Sequence, residues 1–180
     1  MTVRPMARLA ATMVGLSVAL TACGGPSGGR GEAGPPATPP PAPAVTGTTG
    51  PVLYVTNERG GTVTVIDVAT LTPLTTVQLG KRPRGIALSP DRTQAFVALS
   101  GSPIAGPGVD EKTLPPADKG ADGIGVVDTR THTLVRVLRA GSDPETVAMS
   151  KDGTRAFIAN EDTAQASVVE LADGRISETF

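Results

Sequence analysis

Tyr54-Val55-Thr56-Asn57, followed by Val63-Thr64-Val65-Ile66-Asp67, Gly80-Lys81-Arg82-Pro83 and Ile86-Ala87-Leu88-Ser89-Pro90-Asp91, is a stretch that returns twice in partial copies. Tyr54, Phe96 and Phe157 each begin a short apolar run, and Asp67, Asp128 and Glu170 each close the next one. The pairs Asp67 and Asp128, Gly80 and Gly141, Ser89 and Ser150, and Phe96 and Phe157 all lie 61 residues apart, whereas Tyr54 and Phe96 are separated by 42. The difference is a 19-residue insertion, Ser102 to Gly120, in a loop over 101–120. A unit of about 42 residues with short strands and turns between them has the period of a propeller blade.

Val52-Leu53-Tyr54-Val55, Ala95 to Leu99 and Ala156 to Ala159 are continuous apolar runs, as expected of strands covered on both faces. Thr62 to Ile66 alternates, and Ile124 to Val127 and Ser167 to Val169 hold the same place in their copies. A third strand is read at Leu74 to Leu79 and Leu134 to Leu138, and a fourth at Arg84 to Leu88 and Glu145 to Met149. Ser89-Pro90-Asp91 and Ser150-Lys151-Asp152-Gly153 suit tight hairpins between them.

These motifs, Tyr54 to Asn57 with Val63 to Asp67, Gly80-x-x-Pro83 and Ile86 to Asp91, resemble the YVTN-type β-propeller repeat. The likeness runs over 52–180, although the second and third copies read Phe96-Val97-Ala98-Leu99 and Phe157-Ile158-Ala159-Asn160 at the signature. It implies an all-β bacterial surface or periplasmic propeller of about seven four-stranded blades, and no single activity. Residues 52–180 amount to about three blades, too few to close a ring, with the last copy stopping inside its final strand at Ile176 to Phe180. The expectation is an N-terminal part of a longer protein; the alternative is closure by self-assembly.

Upstream of the repeats, residues 1–22 read as an export signal. Arg4 and Arg8 precede an apolar stretch, Leu9 to Leu20, that is too short to span a bilayer. Leu20-Thr21-Ala22-Cys23 is similar to a bacterial lipobox, which implies that Cys23 becomes a lipidated first residue anchoring the chain in the cell envelope, periplasmic or surface-exposed. Gly24 after the cysteine implies, by resemblance to enterobacterial lipoproteins, the outer membrane. Of the 28 residues from Gly24 to Pro51, 16 are Gly or Pro, so 23–51 reads as a lipidated cysteine and tether that cannot build a core.

Composition excludes several classes of function. Without Arg4 and Arg8, 14 basic face 17 acidic residues, and Lys81, Arg82 and Arg84 form a basic cluster with no aromatic neighbours, so nucleic acid is not an expected partner. Cys23 is the lone cysteine, which leaves no disulfide and no Cys-x-x-Cys-His haem attachment. Asp110, Glu111 and Asp118 lack EF-hand spacing, and no metal or cofactor is assigned. His132 falls in the turn equivalent to Leu71 and reads as an exposed rim residue, so no nucleophile can be given a base and no catalytic residue is assigned. Tyr54, Phe96 and Phe157 read as core.

Antiparallel strands bring alternate connections to one side, so the loop after Asn57, the Gly80 to Pro83 turn, the insertion and the Gly141 to Pro144 turn share a face. The candidate ligand-binding residues there are Asn57, Arg84, Asp143, Glu145, Asn160 and Glu161, with the insertion above them as an ordered lid. Arg84 and Glu145 are repeat equivalents of opposite charge on strands that the resemblance places beside a central channel. Two functions stay open: a membrane-anchored module binding a protein or small ligand through this face, or an enzyme or cofactor carrier, lactonase-like or haem d1-like, whose site is completed by blades beyond this sequence.

Overall fold

The structure is a computed structural model that describes residues 50–180. The signal, Cys23 and nearly all of the tether lie outside the described residues. The described residues form three antiparallel sheets and two short 3-10 turns. The first sheet holds β1 (Val52–Asn57), β2 (Thr62–Asp67) and β3 (Thr72–Gln78). The second holds β4 (Pro83–Leu88), β5 (Gln94–Leu99), β6 (Gly123–Asp128) and β7 (Thr133–Leu138). The third holds β8 (Pro144–Met149), β9 (Arg155–Asn160), β10 (Gln165–Glu170) and β11 (Ile176–Thr179). Each sheet is a meander with its strands in chain order, which is the architecture of propeller blades. Among the described residues the first blade has three strands, with no counterpart of β4 and β8 beside β1.

Side-chain alternation along β5 explains how the sheets stack. Ala95, Val97 and Leu99 point back to join Val63, Val65, Val77 and Leu79 of the first sheet, while Phe96 and Ala98 point forward to Val147, Ala156, Ile158 and Val169 of the third. Every residue from Ala95 to Leu99 is buried, as the continuous apolar run predicts. Burying the Phe96 ring contributes about 2–3 kcal/mol. The equivalent runs at the two ends of the stack are covered on one face only. Leu53 and Val55 of β1 are exposed on the back of the first sheet, and Phe157 is 40% exposed on the front of the third. Phe157 is therefore not core as its repeat position suggests, and Tyr54 is only half-buried; each aromatic is buried to the extent that a neighbouring sheet covers it.

The hairpins repeat in atomic detail. Ser89 Oγ donates to Asp91 Oδ1 at 2.6 Å and accepts from Gln94 N at 3.0 Å, and Ser150, Asp152 and Arg155 N reproduce both contacts at the same distances. Asp67 and Asp128 close a second kind of turn by accepting from the backbone of Thr70 and Thr131, which puts Leu71 and His132 at φ 57° and 53°. The third copy has Gly174 there, the residue that adopts this conformation without strain. At His132 the turn does not leave the ring in solvent, contrary to the sequence expectation. The residue is only 6% exposed, and its Nδ1 lies 2.8 Å from Tyr54 Oη of the first sheet.

Candidate functional site

The linkers between sheets meet on one face, as the strand directions require. The first, Gly80-Lys81-Arg82-Pro83-Arg84, is basic; the second, Gly141-Ser142-Asp143-Pro144-Glu145, puts carboxylates at the equivalent places. Arg82 and Asp143 share a left-handed backbone, φ 41° and 52°, that turns both side chains to the same rim. Inner strands β4 and β8 run close together: a Cβ on Gly85 would lie 2.7 Å from Glu145 O, so only glycine admits this approach.

Arg84 is the hub of the resulting charge cluster. Its guanidinium donates to Glu161 at 2.6 Å and to Glu145 at 2.9 Å, and lies 3.5 Å from Asp143. Burial works against its positive charge, but the Glu161 hydrogen bond and the charges of Glu161, Glu145 and Asp143 outweigh it and push the Arg84 pKa up. Arg82 Nε reaches Glu58 at 2.8 Å. The ion pairs fall into three groups, Arg82 and Arg84 with Glu58, Asp143, Glu145 and Glu161, Lys119 with Asp122 and Asp162, and Lys81 with Asp118: four cations against seven carboxylates, an excess of three negative charges among the paired side chains. Such an excess in a concave region favours cationic groups over anionic ones.

The insertion is braced to the linkers on either side of the second sheet and to the β9–β10 turn of the third. Its base closes where Asp118 N donates to Gly101 O at 3.0 Å. Asp122, at its far end, accepts from Gly101 N at 2.7 Å and from Asp143 N at 3.0 Å, which ties the loop to the linker before β8. Lys119 pairs with Asp162 in the β9–β10 turn, and Lys81 pairs with Asp118 at 2.7 Å from the linker before β4. Burial works against the Lys119 charge, but the Asp162 hydrogen bond and the charges of Asp122, Asp162 and Asp143 push its pKa up, and the Lys119 and Ser142 hydrogen bonds hold Asp162 below the usual carboxylate range. Two cavities flank the loop. One of about 590 Å³ is lined by Ile104, Leu114, Pro115, Arg82, Asp143 and Glu161 among others. One of about 580 Å³ lies on the side of Glu58, Arg59 and Lys81.

Of the six residues expected to bind ligand, Arg84, Asp143, Glu145 and Glu161 come together, and Asn57 and Asn160 do not join them. Asn57 Nδ2 is spent on the Thr62 and Thr64 hydroxyls at 2.9 and 2.8 Å, and Asn160, 4% exposed, donates to Ser167 at 2.7 Å. Both are struts within their hairpins. Three members of the cluster were not legible as site residues: Ser100, whose Oγ donates to Asp143, and Asp122 and Lys119 of the brace. A signal existed for two of them. Ser100 stands where the other copies have Glu58 and Glu161, and Asp122 where they have Gly61 and Ala164.

No family model matches the chain, and no match was found among curated proteins. Solved structures do match. Hydrazine synthase from Kuenenia stuttgartiensis is similar at 27% identity and a TM-score of 0.55, covering 71% of this chain and 33% of that one. A candidate 6-phosphogluconolactonase from Bacteroides fragilis is similar at 22% identity and 0.53, over 76% of this chain and 37% of the other. A protein of unknown function from Desulfotomaculum acetoxidans is similar at 20% and 0.51, over 72% and 38%. The chain thus spans between a third and two fifths of the length of these structures. The likeness supports the propeller fold.

Proposed function

We propose that the protein is an envelope-anchored β-propeller module that binds a partner through its loop-rich face, with the insertion as the recognition element. The observation that carries this is the braced insertion: a proline-rich loop held to the linkers before β4 and β8 and to the β9–β10 turn, with cavities of about 590 and 580 Å³ on its flanks. Long loops held in one conformation on a rigid frame are common sites of recognition. The lipobox-like Cys23 supplies the anchor and the Gly/Pro-rich stretch the spacer, so the face stands clear of the membrane. Among the described residues no helix is long and apolar enough to cross a membrane. The excess of carboxylates around Arg84 opposes a phosphorylated substrate of the kind implied by the name of the Bacteroides neighbour.

Deleting Ser102 to Gly120 joins Gly101 to Ala121 and leaves a short turn, as in the other two copies. The full-length chain is expected to retain an envelope protein or small ligand from its host that the deletion variant loses, both variants keeping the same strand content by circular dichroism. Equal capture by both removes the insertion from the binding role. Replacement of Cys23 by Ser is expected to abolish incorporation of a labelled fatty acid and release the protein from membranes; retention would refute the anchor.

A further inference from the structure

The larger cavity beside the insertion, about 590 Å³, has walls of unlike chemistry and a volume in the range of small-ligand sites. From the loop come Glu111 and the half-buried Ile104 and Leu114. From the frame come Asp143, Glu161 and Asp162, with Arg82 as the one cation in the lining. Every lining residue falls between Arg82 and Asp162, so the cavity is built inside the stack and neither end of the described chain contributes to it.

Most of these charges are already spent. Arg82 Nε donates to Glu58 at 2.8 Å, Glu161 accepts from Arg84 at 2.6 Å, and Asp162 accepts from Lys119 and from Ser142. Two acceptors are left over among the described residues. Glu111 accepts at its backbone carbonyl, from Leu114 N at 3.1 Å, and its carboxylate pairs with nothing. Asp143 is 4% exposed; Ser100 Oγ donates to its Oδ1, Arg84 lies 3.5 Å from that same oxygen, and Oδ2 accepts no hydrogen bond. The only fully enclosed side-chain polar atom without a partner among the described residues is Asn160 Oδ1, so Asp143 Oδ2 keeps an opening, and this cavity is the space that Asp143 borders. A mostly buried carboxylate oxygen with no donor is costly, and a donor on a ligand relieves that cost.

We propose that the cavity takes a primary ammonium carried on an aliphatic arm, the ammonium against Asp143 Oδ2 and Glu111 and the arm along Ile104 and Leu114. This rests on the reading of the insertion as the recognition element and names the chemistry that it recognises. An ammonium suits the site better than a guanidinium, because a planar fork needs both oxygens of one carboxylate and Ser100 occupies Asp143 Oδ1. An anion is disfavoured by four carboxylates against one cation in the lining. The arm has two sources, a free diamine or a lysine side chain of a partner protein.

Isothermal titration calorimetry of the full-length chain separates them, with cadaverine as the free diamine, acetyl-lysine amide as the protein side chain, and glutarate as an anion of similar length. Saturable binding of either amine, weakened by added salt, supports the site, and the tighter of the two identifies the source. Glutarate is expected not to bind. Asp143→Asn is expected to weaken binding by about tenfold or more. Glu111→Gln, at an exposed position, is expected to weaken it by about two- to fivefold with unchanged circular dichroism; it decides the matter if Asp143→Asn, which also disturbs Ser100, loses strand content. Saturation by neither amine, equal binding of glutarate, or full affinity in Glu111→Gln and in a folded Asp143→Asn overturns the ammonium site. If neither amine binds while deletion of Ser102 to Gly120 still costs the chain its host partner, only the ammonium is lost and the recognition loop stands; equal capture by the deletion variant removes the loop as well.

Discussion

A methyl group has no room at Gly101, because its carbon would sit 1.7 Å from the Asp118 carbonyl oxygen, backbone against backbone. Gly101→Ala is therefore expected to open the base of the insertion while leaving the sheets intact. Limited proteolysis should show faster cleavage within 102–120 and unchanged strand content. At Tyr54 and His132 the effect is a pH dependence. Burial pulls the His132 imidazole below its ordinary 6.5, against the opposing pull of the Asp128 carboxylate, and the ring faces the Tyr54 hydroxyl. The folded protein keeps the ring neutral, so as pH falls below about 6.5 the unfolded chain takes up a proton first and stability declines. His132→Gln should flatten that decline in urea titrations at pH 5 to 7. On the alkaline side burial, then the Asp128 charge, pushes Tyr54 up to about 12, so stability is lost as pH rises from about 10 towards that value. Tyr54→Phe is expected to cost about 1 kcal/mol, by leaving His132 Nδ1 without its partner.

Between strands, the paired linkers before β4 and β8 set basic against acidic side chains. Arg84 serves three carboxylates from a mostly covered position, whereas Glu145 is about half exposed. Arg84→Gln is expected to cost about 1–2 kcal/mol and Glu145→Gln less than about 0.5, read from urea midpoints; equal costs would show that the hub is not Arg84. The hairpins carry a separate acid sensitivity. Side-chain and backbone hydrogen bonds, that from Ser150 foremost, lower Asp152 to about 2, so their contribution is present above its ordinary 3.8 and lost as pH falls towards 2. Much of this scale was legible in the chain. The constant spacing aligns Arg84 with Glu145, and the Ser-x-Asp turns announce their hairpins. The brace was legible only at Asp122, which stands where the other copies have small residues, because Asp118 and Lys119 lie inside the insertion and have no repeat equivalents. The Asn57 and Asn160 amides also misled: their exposure depends on hydroxyls across the hairpin, at Thr62, Thr64 and Ser167, that no linear pattern ranks above solvent.

For the molecule as a stack, the same residue type at equivalent places has different worth. Phe96→Ala is expected to cost about 3–5 kcal/mol and Phe157→Ala less than about 1 in dilute protein, because only the first ring is closed in by sheets on both sides. Similar costs in urea titrations would show that the Phe157 face is covered. The period of the repeat predicts the sheets and their order, since strands of one unit pair locally before units stack. Which copy buries its aromatic is decided by what stands beside it, a property of the assembly that a repeat unit does not encode. His132 escaped for the same reason: its turn is legible from Asp128, whereas the Tyr54 hydroxyl that covers it arrives from another sheet.

The closure of Gly101 against Asp118 separates the frame from what is mounted on it. The polar contacts that fasten the two ends of the loop to the frame lie at Gly101, Ser102, Asp118, Lys119 and Asp122, so the residues from Pro103 to Ala117 form a cassette. Foreign sequences of varied length could be grafted between those posts without disturbing a single rung of the ladders below, which makes the chain a display scaffold with one built-in cloning window.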